Sequence, residues 1–167
     1  FNNIGLGTRV ITGAQIQRYY ITDTPSQGNV IYINDQNKPG LSSKREQEVS
    51  NPRIVLQRIT GVDSKVRIIS TLINGHMYCA NSTNYIANDN SINIKYLLGV
   101  LNSSLVNFFI KQTSTNTNIT AKVLNSIPII FPSTKMQEAI IRIVDYVLII
   151  KSLPSDIIID QYVDNDV

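Results

Sequence analysis

Residues 92–151 read INIKYLLGVLNSSLVNFFIKQTSTNTNITAKVLNSIPIIFPSTKMQEAIIRIVDYVLIIK, and this stretch decides the fold. Over 92–111 the apolar residues Ile94, Leu97, Leu98, Leu101, Leu105, Phe108 and Phe109 recur at helical spacing and predict one long helix with a broad buried face. Gly99 inside it costs about 1 kcal/mol against alanine, a cost that close packing against a neighbour would justify. Residues 112–120, QTSTNTNIT, are polar apart from Ile119 and carry no acid. A short turn is expected at 123–127, then an extended edge segment, PIIFP, bounded by Pro128 and Pro132. Thr134 with Gln137 three residues on reads as a capping box. It opens a second helix with Met136, Ile140, Ile143, Val144, Val147 and Leu148 on one side, ending at the latest before Pro154.

Outward from this scaffold, the chain changes character. Residues 1–28 are punctuated by Gly5, Gly7, Gly13, Pro25 and Gly28 and read as loop-rich, with a strand toward Ile21. Residues 29–33, NVIYI, read as a strand, and 34–52 as a long polar loop carrying Lys38, Lys44 and Arg45. In 53–59, RIVLQRI, Ile54, Leu56 and Arg58 share one face and Val55, Gln57 and Ile59 the other. A tight turn at 60–63 leads to a strand over 65–73. Asn74-Gly75 then signals a type I′ hairpin, returning antiparallel through 76–80. Residues 84–87 extend the sheet. The reading is an α+β domain: a twisted, mainly antiparallel sheet packed against two long helices, over 1–153, followed by an acidic tail at 154–167.

Charge and composition narrow the function classes. With 43% hydrophobic and 16% charged residues, the chain has enough apolar material for a core. Its apolar runs are far short of the roughly 20 residues a membrane helix needs. It opens Phe1-Asn2-Asn3, which suggests a piece of something longer. One cysteine, Cys79, excludes an internal disulfide and fits a reducing cytoplasm. The net charge is +3, but Asp156, Asp160, Asp164 and Asp166 follow the last basic residue, so residues 1–151 carry about +7. That excess fits a polyanion partner and equally a solubilising surface.

No catalytic grouping is legible. His76 is the one histidine, Cys79 lies three residues later, and two ligands do not make a zinc site. The carboxylates are few and scattered, which argues against a free-standing metal-dependent nuclease. What remains is polar and basic surface. The candidates are Arg18; Lys38, Lys44 and Arg45 on the long loop; Arg53, Arg58, Lys65 and Arg67 on the strands; and Thr115, Asn116, Asn118 and Lys122 after the first helix. Arginine and lysine bond guanine edges, and asparagine bonds adenine with two hydrogen bonds, each good pair discriminating by about 1–3 kcal/mol. Hydroxyls and lysines more often hold phosphate, which positions without reading sequence.

Several segments together resemble a known family. Residues 96–109, YLLGVLNSSLVNFF, resemble the YLLGLLNSKLxNFY helix of the TaqI-like C-terminal specificity domain. Residues 124–129, LNSIPI, resemble its LxxIPIP segment, and Gln137-Glu138 before an apolar helix resembles its closing helix. Upstream, 13–19, GAQIQRY, is similar to the family's GxDIxRY motif with Gln15 in place of the usual acid, and 53–58, RIVLQR, to its KIlvrR strand. The resemblance implies a target-recognition domain of a type II, IIG-like restriction-modification protein, with double-stranded DNA as partner. It further implies an upstream adenine-N6 methyltransferase domain in the same polypeptide. That domain would bind S-adenosylmethionine, with magnesium where the parent also cleaves; no cofactor is expected in this chain. The catalytic Asn-Pro-Pro-Tyr-type motif is not here: the one Asn-Pro, Asn51-Pro52, is followed by Arg53-Ile54. The second reading is half of a type I restriction specificity subunit, and a third is a protein-interaction domain using an exposed apolar strand at 127–131.

Overall fold

Strand β5 (Arg53–Gln57) is the centre of the molecule. In the computed structural model, which describes residues 7–34, 40, 42–61 and 64–153, β5 pairs antiparallel with β6 (Ser70–Ile73) on one side and β8 (Thr83–Ala87) on the other. Its alternation divides the core. Ile54 and Leu56 face a large cluster with Ile68, Leu98, Leu101, Val106, Ile110, Ile119, Ile127 and Val144. Val55 faces a smaller cluster with Ile11, Ile16 and Ile73. The two faces expected from the sequence are the two faces observed.

The single sheet expected is instead three small ones. Strand β1 (Thr8–Ile11) lies between β4 (Ile31–Ile33), antiparallel, and β7 (Tyr78–Cys79), parallel. Strands β2 (Ile16–Gln17) and β3 (Tyr20–Ile21) form a separate hairpin after a 3-10 turn at Gly13–Gln15. This overturns the antiparallel hairpin expected at Asn74-Gly75. Gly75 does adopt a turn-forming φ of 93°, but β6 joins β5 and β7 joins β1. Arg53 enforces the departure, because its guanidinium holds the carbonyls of Gly75 and Met77 and draws that segment away from β6. The strand expected over 65–73 is regular only from Ser70. The long loop expected at 34–52 contains helix α1 (Ser43–Ser50), carrying Lys44 and Arg45.

The helix expected over 92–111 is two helices, α2 (Ile94–Leu101) and α3 (Ser104–Thr113). The break has a local cause. The Asn102 side chain turns onto β6, accepting from Ser70 N and Oγ at 3.2 and 3.0 Å and donating to Ser70 O at 2.9 Å. Ser103 then caps α3 through Val106 N at 3.2 Å. The break resets the helical phase. Val106 and Ile110 are buried, whereas Leu105 and Phe108 are 68% and 62% exposed. Thr120 caps the short helix α4 (Ala121–Asn125). In α5 (Thr134–Ser152) the N-cap is Ser133 rather than Thr134 and makes no side-chain cap bond; Gln137 Nε2 donates instead to Pro132 O at 2.9 Å. Helix α5 packs on α2 at Gly99, where an added Cβ would stand 2.9 Å from Val144 Cγ2 and 3.0 Å from Ile140 Cγ2. Of the apolar row read on α5, Val144 is buried and Met136 and Ile143 face outward. The segment 128–132 is irregular and makes no strand pairing; Ile127 before it is buried, and Ile130 and Phe131 are exposed. No helix among the described residues is long and apolar enough to cross a membrane.

Candidate nucleic-acid interface

The polar loop between α3 and α4 is held from beneath. Ile119, its single apolar residue, is fully buried in the large cluster. The backbone is stitched to the end of β5: Ile119 N donates to Arg58 O at 2.7 Å and Thr60 N to Thr117 O at 3.0 Å, with a bridge between Ile59 and Asn118. Asn84 on β8 donates to Ile119 O. Arg67, fully buried, supplies the deepest anchor. Its guanidinium donates to Ser114 O at 3.3 Å, to Asn116 O and to Thr60 Oγ1 at 3.3 Å. With its carbonyls bonded inward, the loop turns Thr115 and Asn116 to solvent and leaves Asn118 half-buried. Asn116 Oδ1 accepts from Asn118 N at 2.9 Å, which fixes the amide yet leaves that oxygen a second lone pair and both Nδ2 hydrogens.

Cations surround this loop. Arg58 is exposed and donates to Asn81 O at 3.2 Å. Lys65 is exposed next to Asn107, which bonds its carbonyl at 3.1 Å and accepts from Arg67 N at 2.6 Å. Lys122 stands exposed on α4. Lys111, exposed in the last turn of α3, escaped the sequence reading; its signal was position, immediately before the polar stretch 112–120.

The other candidates fall elsewhere. Arg53 and Arg67, expected on a DNA-facing surface, are 1% and 0% exposed. Arg53 donates to the carbonyls of Val49, Asn51, Gly75 and Met77, Arg67 to those of Ser114 and Asn116, so both guanidiniums hold backbone and neither reaches an outside partner. Lys44 is exposed on α1, and Arg45 sits on the same helix. That helix is tied by Arg53 and by Tyr85–Glu48 (2.8 Å) to the start of β5, the opposite end from Arg58. Arg18 sits in the β2–β3 turn beside Tyr19, whose φ of 72° is left-handed, and donates to Asn102 O. Lys38 lies outside the described residues. Among the described residues no three His, Cys, Asp or Glu side chains come together as a metal site.

A family model, the TaqI-like C-terminal specificity domain, matches residues 8–129. The chain belongs to that family. The match runs from β1 through the α4 segment and includes every side chain of the rim; α5 lies beyond it. Specificity domains of this family serve DNA recognition in restriction-modification systems. A search among curated proteins found no match.

Proposed function

We propose that this specificity domain reads its DNA site with the Arg67-anchored loop and its cationic surround, and positions a separate adenine-N6 methyltransferase part of a type II, IIG-like restriction-modification enzyme on that site. The observation that supports it is the loop's construction: a buried arginine donates to its backbone carbonyls, and the polar side chains of residues 115–117 are exposed, on a loop bonded to the backbone of Arg58. Asn116 offers a fixed amide suited to an adenine edge, and Arg58 a guanidinium suited to guanine. Lys65, Lys111 and Lys122 are placed to hold phosphates on either side. A methyltransferase must extrude its target base from the stack; in this reading the domain grips the duplex while a partner domain, carrying S-adenosylmethionine, receives the flipped adenine. Double-stranded DNA and that catalytic domain are then the two partners, in a bacterial cytoplasm.

The test uses the full-length parent. Arg58→Ala and Asn116→Ala are each expected to relax or shift the preferred site, with about a 5- to 150-fold loss of discrimination at one base pair, the equivalent of 1–3 kcal/mol. Methylation rates on a panel of single-base site variants measure this. Both substitutions leaving preference and rate unchanged would remove the loop from the interface.

A further inference from the structure

The turn between β2 and β3 and the last turn of α5 enclose a groove of about 490 Å³ that the rim does not include. Arg18, Tyr19, Tyr20, Val66 and Lys151 line it, and none of its lining residues is acidic. Both cations are exposed, and each stands over a tyrosine ring: the Arg18 guanidinium 5.9 Å from the centroid of Tyr19, and Lys151 Nζ 5.4 Å from that of Tyr20. A ring attracts a cation through its quadrupole and leaves the charge in place, whereas a carboxylate would cancel it. Among the described residues neither Arg18 nor Lys151 meets a carboxylate. Asp23, which borders the neighbouring cavity together with Lys151, lies 3.9 Å from Arg9 instead.

The groove is built to hold still. Tyr19 has a left-handed φ of 72°, a conformation that a tyrosine keeps only where its surroundings fix it. Here Tyr19 N donates to Ser70 O at 3.0 Å, and Arg18 donates to Asn102 O. That bond takes one of the guanidinium's five donors, and no described residue takes any of the three on Lys151. Two uncancelled charges on a fixed turn and a helix end suit an anion. The groove also continues the cationic rim, because Val66 in its wall directly follows the exposed Lys65.

We propose that this groove holds the phosphate backbone of the duplex beside the recognised site, Arg18 and Lys151 each meeting a phosphate, so that the grip on DNA extends past Lys65 without reading sequence. The proposal rests on the Arg67-anchored loop being the part that reads the site. A stacked base fits the groove less well, since both tyrosine rings are already engaged by the cations.

The test is binding of the full-length parent to duplexes with and without its site, over a salt series. Lys151→Ala is expected to take about 0.9 unit from the slope of log affinity against log salt, about an 8-fold loss at about 0.1 M salt relative to about 1 M. The loss should be equal on both duplexes. Arg18→Ala added to it should take a similar increment again; Lys151→Ala decides, because Arg18 also bonds Asn102 O. Lys135→Ala, about 24 Å away at the other end of α5, should leave the slope as it is. An unchanged slope in Lys151→Ala overturns the proposal, as does an equal loss in Lys135→Ala or a loss confined to the duplex that carries the site. Arg58→Ala and Asn116→Ala test the loop through site preference, which Lys151→Ala leaves alone, so either reading can fail without the other.

Discussion

Arg67 shows what one side chain does for the loop above it. Three oxygens, Ser114 O, Asn116 O and Thr60 Oγ1, depend on its guanidinium. Arg67→Met keeps much of the volume but strands those acceptors, and each buried unsatisfied group costs about 1–3 kcal/mol. The expected loss is about 3 kcal/mol or more in urea unfolding, together with loss of DNA-site preference although Arg67 itself is out of reach of DNA. Sequence alone placed this residue wrongly, because an arginine between valine and isoleucine reads as a surface charge until the carbonyls it serves, nearly fifty residues on, are in view. For Arg53 a signal was present: it shares parity with Val55 and Gln57, the face that turns toward the smaller core. The exposure of Thr115 and Asn116 was legible, because in an acid-free polar loop with one isoleucine the isoleucine is the residue to bury.

Among the elements, the α2–α5 contact depends on Gly99. Two effects oppose each other in Gly99→Ala. Helix propensity favours alanine by about 1 kcal/mol, while forcing a methyl against Val144 and Ile140 costs about 1–3 kcal/mol. Packing wins, so a net destabilisation of about 1 kcal/mol is expected in urea unfolding, and a larger one for Gly99→Val. The close approach at this glycine was readable from a helix that tolerates its entropy. The break three residues later was readable too, since Asn102, Ser103 and Ser104 are residues that cap rather than continue a helix. The apolar spacing across them was the stronger pattern, and it concealed the change of phase that leaves Leu105 and Phe108 outside.

At the scale of the molecule, the rim should behave as a cationic surface toward DNA. Arg58, Lys65, Lys111 and Lys122 can together contribute at most about −3.6 to the slope of log affinity against log salt, at about −0.9 per neutralised phosphate. Duplex binding by the parent with Lys65→Ala and Lys122→Ala should lose about 1.8 units of that slope. An unchanged slope would place the phosphate contacts elsewhere. The topology was the least legible part. Strand types and the faces of β5 follow from local alternation, but the parallel pairing of Val10 with Tyr78 joins segments far apart in the chain, and nothing in either segment names its partner. The Asn-Gly pair marked a bend, with Gly75 at φ 93°, but Asn74 lacks the positive φ that a type I′ turn needs, so both the turn type and the strand pair expected there fail.

Strand β5 belongs to both hydrophobic clusters at once, Ile54 and Leu56 to one and Val55 to the other. Neither half of the domain can open without stripping a face of this strand, so the two cores unfold as a single cooperative unit. The backbone amides of Val55 and Leu56 should then be among the slowest in the protein to exchange with deuterium, with an opening free energy equal to that of global unfolding. A cavity made at Val55 should speed exchange at Ile110 in the other core as much as at Ile11 beside it.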